Sequence, residues 1–70
     1  MTMLDVKYNI KNLISSIYEC QKKIILNRRF IRELESEGND VTKLKNEIEE
    51  LEQKIIDYQS ELKKKYQFSY

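Results

Sequence analysis

The sequence predicts an all-α protein, an antiparallel two-helix hairpin that forms a single domain over residues 1–70. Two long segments carry apolar residues at alternating spacings of three and four. One strong helix breaker, Glu-Gly-Asn-Asp, separates them at residues 37–40. The chain has no proline and one glycine, with 36% charged and 40% hydrophobic residues, a balance typical of coiled coils and helical hairpins.

The first helix is expected at about residues 3–37. Thr2 and Asp5 have the spacing of a capping box. A seam with an average spacing of 3.5 residues follows: Met3, Val6, Ile10, Leu13, Ile17, Cys20, Ile24, Asn27, Ile31 and Leu34. Asn27 is its one polar member. It specifies register or oligomeric state if it is buried, whereas near the surface it would simply be solvated.

The second helix is expected at about residues 40–67. Gly38 suits the left-handed position that ends a helix, and Asn39 or Asp40 can cap the next one. A second seam follows: Val41, Leu44, Ile48, Leu51, Ile55, Tyr58 and Leu62. At 1.5 Å per residue the helices are roughly 50 Å and 40 Å long, and so short a connection makes them antiparallel.

The residues that flank the seams predict which positions face each other. One flank gives four compatible pairs: Glu35–Lys45, Arg28–Glu52, Gln21–Gln59 and Ile14–Tyr66. The other flank is less compatible, because Lys23 faces Lys54 and Phe30 faces Glu47. The difference suggests that the second flank is not simply a closed edge of the hairpin.

Further apolar residues lie outside the seams. Ile14, Tyr18 and Ile25 form a stripe on one side of the first helix, next to Ile56 and Tyr66 of the second, and Leu26 with Phe30 forms a patch on the other side. Contiguous exposed apolar surface usually marks an interface. We therefore expect two hairpins to associate as a four-helix bundle. A monomer that keeps this surface for a different protein is the alternative, and the tyrosines could also lie flat on the surface.

Basic residues form a second group of candidates. They are Lys22, Lys23, Arg29 and Arg32 in the first helix and Lys63, Lys64 and Lys65 at the end of the second. These residues could contact phosphate or an acidic partner. The structural alternatives are a salt-bridged surface and, for the three lysines, a favourable interaction with the helix dipole.

Several classes of protein are disfavoured. With no histidine and one cysteine, the chain offers no zinc cage, internal disulfide or Cys–His nucleophile. It has no glycine-rich phosphate loop, so we expect neither an enzyme nor a cofactor or small-molecule substrate. No stretch is apolar enough to span a membrane, and the N-terminal segment lacks the apolar block of a signal peptide. A cytoplasmic location is therefore expected, and residues with AT-rich codons suggest a phage or low-GC bacterial source.

The sequence thus predicts a small non-enzymatic interaction module or regulator, of the inhibitor or adaptor type, that binds a partner protein through its helix faces. A nucleic-acid-associated regulator that uses the basic surfaces is one alternative. A coiled-coil subunit of a larger assembly is another.

Overall fold

A computed structural model describes residues 2–70 of the chain. It contains two helices, α1 (Met3–Ser36) and α2 (Thr42–Tyr66), which pack against each other. Ion pairs join residue 28 to residue 52 and residue 35 to residue 45, so the helices run antiparallel. The predicted helical hairpin is confirmed, as a rod of 53 × 16 × 15 Å.

The start of α1 is fixed by the predicted capping box. The Asp5 backbone N–H donates to Thr2 Oγ1 at 3.2 Å, and the Thr2 N–H donates to Asp5 Oδ2 at 3.3 Å. Two backbone donors that the first turn would otherwise leave without acceptors are therefore satisfied.

The turn between the helices depends on Gly38. The Gly38 N–H donates to the Glu35 carbonyl at 3.0 Å, and the Asn39 N–H donates to the Leu34 carbonyl at 2.9 Å. This hydrogen-bond pattern requires a left-handed residue, and Gly38 has a φ of 81°. α1 ends at Ser36, one residue before the predicted boundary.

α2 begins at Thr42, two residues after the predicted boundary. Asp40 Oδ1 accepts hydrogen bonds from the Thr42 N–H at 3.0 Å and from Thr42 Oγ1 at 2.6 Å. The Asp40 side chain therefore caps the helix from outside it. The same two hydrogen bonds hold the pKa of the Asp40 carboxyl below its ordinary value.

The chain turns back after α2 ends at Tyr66. Gln67 adopts the left-handed conformation, and the Phe68 N–H donates to the Leu62 carbonyl at 3.1 Å. Gln59 Nε2 then donates to the Tyr70 carbonyl at 3.2 Å. Because Gln59 lies two turns before the end of α2, residues 67–70 fold back along that helix.

The two predicted seams form the core. Ile17 and Leu62 are fully buried, and a cluster of Cys20, Ile24, Ile48 and Leu51 packs at the centre. Met3 is different, because 75% of its surface is exposed. α1 has 34 residues and α2 has 25, so about 14 Å of α1 has no helical neighbour.

Candidate interaction surfaces

The ion pairs fix the register of the hairpin. Glu35 Oε2 lies 3.5 Å from Lys45 Nζ, and Arg28 Nη2 lies 3.8 Å from Glu52 Oε1, which confirms two of the predicted pairs. In both pairs the two residue numbers sum to 80. A residue of α1 and a residue of α2 therefore lie at the same level along the rod when their numbers sum to 80. We call the side of the hairpin that carries these pairs the ion-pair face.

Three apolar side chains stand outward on the ion-pair face. Tyr18 and Ile25 lie seven residues apart on α1 and are 55% and 61% exposed. Ile56 of α2 is 56% exposed, and the register places it within one residue of the level of Ile25. Ile14 and Tyr66 complete the predicted stripe and are half-buried. We call these five residues the apolar face.

Leu26 and Phe30 form a separate patch on the opposite side of α1. Nearly half of each side chain is exposed. A shallow cleft of about 280 Å³ beside them is lined by Lys22, Ile25, Leu26 and Arg29. We call Leu26 and Phe30 the α1 back patch. It combines apolar contact area with adjacent positive charge.

The isolated hairpin exposes more surface than its size requires. Its accessible surface is 5756 Å². A compact monomer of 8.5 kDa has about 4,650 Å² by the usual scaling of surface with mass. The excess of about 1,100 Å² is comparable with the area that one partner contributes to a stable protein interface.

The basic residues of α1 differ in how far they are neutralised. Lys22 Nζ lies 3.1 Å from Glu19 Oε1 and 4.9 Å from the centroid of the Tyr18 ring. Within residues 2–70, by contrast, neither Arg29 nor Arg32 forms an ion pair. Together with Ile25 and Arg28 they line a cleft of about 250 Å³, which can accept an anionic group.

The lysines lie in two other places. Lys23 and Lys54 border the same two clefts, of about 510 and 400 Å³, on the side away from the ion-pair face. Lys63, Lys64 and Lys65 occupy the last turn of α2, where they favour the helix dipole, and Lys65 also pairs with Glu61 at 3.9 Å. The sequence-predicted cations are therefore spread over the rod and do not form one patch.

Asn27 is buried in the seam, with 7% of its surface exposed. Its Nδ2 has no hydrogen-bond partner within residues 2–70. The solvated alternative for Asn27 is therefore wrong, and the side chain is a buried donor without an acceptor. Cys20 lies on the same helix as a buried free thiol, consistent with a small apolar core residue.

The open end of the rod carries further apolar surface, beyond the residues predicted to form the interface. Leu4 and Tyr8 are mostly exposed, and a cleft of about 540 Å³ there is lined by Met3, Val6, Lys65, Tyr66 and Gln67. The unequal lengths of the two helices were the available signal, because they leave the start of the α1 seam without a facing helix.

The described part of the chain offers neither a metal site nor a membrane span. No group of three or more His, Cys, Asp and Glu side chains in residues 2–70 could hold a metal ion. In the same range neither helix combines the length and apolar character needed to cross a membrane.

Comparison of the chain with models of protein families, with curated proteins and with solved structures found no match.

Proposed function

We propose that this chain is a small non-enzymatic interaction module, of the inhibitor or adaptor type, that binds a partner protein through the faces of α1. Two copies associate through the apolar face as a four-helix bundle, and the α1 back patch remains available to the partner. The buried single thiol of Cys20 fits a reducing, intracellular compartment.

The exposure of Tyr18, Ile25, Leu26, Phe30 and Ile56 carries this proposal. Full burial of one large apolar side chain contributes about 1.5–3 kcal/mol. Five side chains that are half covered in the hairpin therefore leave several kcal/mol to be gained by association. That amount is large beside the total stability of about 5–15 kcal/mol that is usual for a small domain.

The partner of the α1 back patch should present apolar side chains with acidic neighbours. Leu26 and Phe30 provide the apolar contacts, and Lys22 and Arg29 border them. An amphipathic helix with carboxylates beside its apolar stripe has this chemistry and would dock along α1. The charges would favour the correct partner and accelerate encounter, while the apolar contacts would supply most of the affinity.

Sedimentation equilibrium tests the self-association. The wild-type chain should be a dimer at tens of micromolar, and replacing Ile14 and Tyr18 with glutamate should give a helical monomer. Leu4 and Tyr8 provide a matched control, because they are also an aliphatic residue and a tyrosine four positions apart. Their replacement with glutamate should leave the dimer intact. A monomeric wild-type chain would contradict the proposed dimer.

Partner binding has its own test. Replacing Leu26 and Phe30 with glutamate should abolish co-purification of the partner from the native host while the dimer mass stays unchanged. Loss of the dimer in this variant would show that the back patch serves self-association. A mass well above that of a dimer for the wild-type chain would instead support a subunit of a larger coiled-coil assembly.

A nucleic-acid-associated regulator is the second candidate, favoured by the absence of ion-pair partners for Arg29 and Arg32 within residues 2–70. Phosphate contacts are strongest at low salt, so fluorescence polarisation with labelled oligonucleotides at about 50 mM salt tests it directly. Binding that R29E and R32E abolish would support this candidate. No binding at that salt concentration would remove it.

A further inference from the structure

We infer that the two hairpins dock apolar face to apolar face with their loops at the same end, so that Ile25 contacts the partner's Ile56. The inference rests on the self-association proposed above and adds the orientation and the register of the dimer.

Symmetry determines what this orientation brings together. A twofold axis along the rod places α1 of one copy over α2 of the other, antiparallel to it and at the same level. The register within one hairpin, which is set by the Arg28–Glu52 and Glu35–Lys45 pairs, therefore also applies between the two copies.

The outermost residues of the ion-pair face then form compatible pairs. In α1 they are Tyr18, Ile25 and Arg32, seven residues apart, and in α2 they are Glu49, Ile56 and Lys63, also seven apart. Ile25 lies within one residue of the level of the partner's Ile56, and Arg32 within one residue of the level of the partner's Glu49, because each pair of numbers sums to 81. Tyr18 and the partner's Lys63 have the same spacing, although the Tyr18 ring already has Lys22 Nζ at 4.9 Å from its centroid.

These contacts are not already satisfied inside the hairpin. Within residues 2–70, Arg32, Glu49 and Lys63 form no ion pair. Ile25 and Ile56 are each more than half exposed. Association in this register therefore gives Arg32 and Glu49 an oppositely charged neighbour and covers the exposed parts of Ile25 and Ile56.

The other side of the hairpin offers less complementarity. In the same register Lys23 is level with the partner's Asp57, but Glu19 is level with the partner's Glu61 and Leu26 with the partner's Lys54. One opposite-charge pair is therefore offset by one like-charge pair, which opposes association. We therefore assign the ion-pair face to the second copy and the α1 back patch to a different protein.

The opposite orientation, with the loops at opposite ends, matches fewer side chains. A twofold axis across the rod at Ile25 would pair Ile25 with the partner's Ile25. It would also bring Ile14 within one residue of the level of the partner's Glu35, and Tyr66 within one residue of the level of the partner's Lys45. Two apolar side chains would then meet charged ones, which disfavours this arrangement.

The side of the rod is similar in size to a standard interface. The whole rod extends over 53 Å by 16 Å, a projected area of about 850 Å², and a standard interface uses about 800 Å² per partner. The carbonyl of Tyr70 lies at Gln59, toward the open end, whereas Arg32 and Glu49 lie toward the loop. The two Arg28–Glu52 pairs would lie side by side and contribute mainly to orientation.

A charge exchange between chains tests the register. R32E and E49R should each weaken self-association by at least about tenfold, because each places two like-charge pairs in the dimer. An equimolar mixture of the two variants should form heterodimers with a Kd within about threefold of the wild-type value, because both contacts are then of opposite charge. Both positions are exposed, and circular dichroism should show unchanged helicity.

Disulfide trapping provides an independent measurement. In a C20S background, a mixture of I25C and I56C chains should form a mixed disulfide under mild oxidation, and neither variant should crosslink by itself. Efficient crosslinking of I25C alone would overturn the inference in favour of the opposite orientation. If the wild-type chain is a dimer but mixing R32E with E49R does not restore association, the register is wrong. If the wild-type chain is a monomer, both the register and the proposed dimer are wrong.

Discussion

Replacing Asn27 with leucine should raise the free energy of unfolding by about 2 kcal/mol. Asn27 is 7% exposed, and its Nδ2 has no acceptor within residues 2–70. A buried donor without a partner costs about 1–3 kcal/mol, and leucine has the same branching and number of heavy atoms, in a larger volume, but no donor to desolvate. Along the seam the residue lies between Ile24 and Ile31, so the new side chain would join apolar neighbours. For a domain of this size, 2 kcal/mol corresponds to an increase in Tm of about 8–16 °C.

Urea denaturation followed by circular dichroism, at one fixed protein concentration, measures this change. Asn12 is the matched control, because it is an exposed asparagine on the same helix. Asn12→Leu should change the unfolding free energy by less than about 0.5 kcal/mol.

A less stable Asn27→Leu protein beside an unchanged Asn12→Leu protein would refute the reasoning. It would mean either that Nδ2 has an acceptor in solution or that the seam cannot hold the larger leucine side chain. Sedimentation of the Asn27→Leu protein gives a second result. If the buried amide specifies oligomeric state, its removal should broaden the distribution of masses.

Three further measurements address the turn, the ion pairs and the cap. Gly38→Ala should lower the free energy of unfolding by about 1–2 kcal/mol in thermal melts, because φ is +81°. Gly38→Asn should lower it less, because asparagine tolerates this conformation better. A Cβ at this position would meet no atom within 4 Å, so the backbone conformation alone determines the cost. A double-mutant cycle on Arg28 and Glu52 should give a coupling free energy of about 0.2–1 kcal/mol that decreases as the salt concentration rises. A coupling free energy that salt does not change would contradict the solvent exposure of this ion pair. Asp40 has a lowered pKa in the folded chain, so its stabilisation is complete above the ordinary value of 3.8 and is lost as the pH falls through the folded-state pKa. The difference in Tm between the wild-type chain and Asp40→Ala should therefore narrow in acid, and a difference independent of pH would exclude a role for the carboxylate charge.

The hairpin could be predicted because its determinants are local or periodic. Gly38 is the single residue suited to a left-handed turn, and the seams repeat without interruption on both sides of it. The register could also be predicted, because opposite charges at Glu35–Lys45 and Arg28–Glu52 agree only when the helices are aligned in one way. The first residue of α2 was harder to predict from the sequence, because Asp40 can cap either as the first helical residue or from outside the helix.

The end of the chain could not be predicted from the same patterns. The sequence pairs Gln59 with Gln21, but in the structure Gln59 donates to the Tyr70 carbonyl. This contact depends on a left-handed Gln67, and glutamine has no intrinsic preference for that conformation. Tertiary packing decides such a reversal. The propensities of the tail residues do not.

The distribution of apolar side chains makes α1 the helix on which function should depend. One helical neighbour covers a single stripe, and α2 already covers the seam that contains Ile17 and Ile24. Ile25 lies on a second side of α1 and the α1 back patch on a third, whereas Ile56 is the one large apolar side chain of α2 that is mostly exposed. A helix with three apolar sides needs neighbours on all three to become fully buried. In the proposed dimer a second copy covers the side of Ile25. The α1 back patch, bordered by Lys22 and Arg29, is the side that we propose for a different protein with acidic residues beside its apolar stripe.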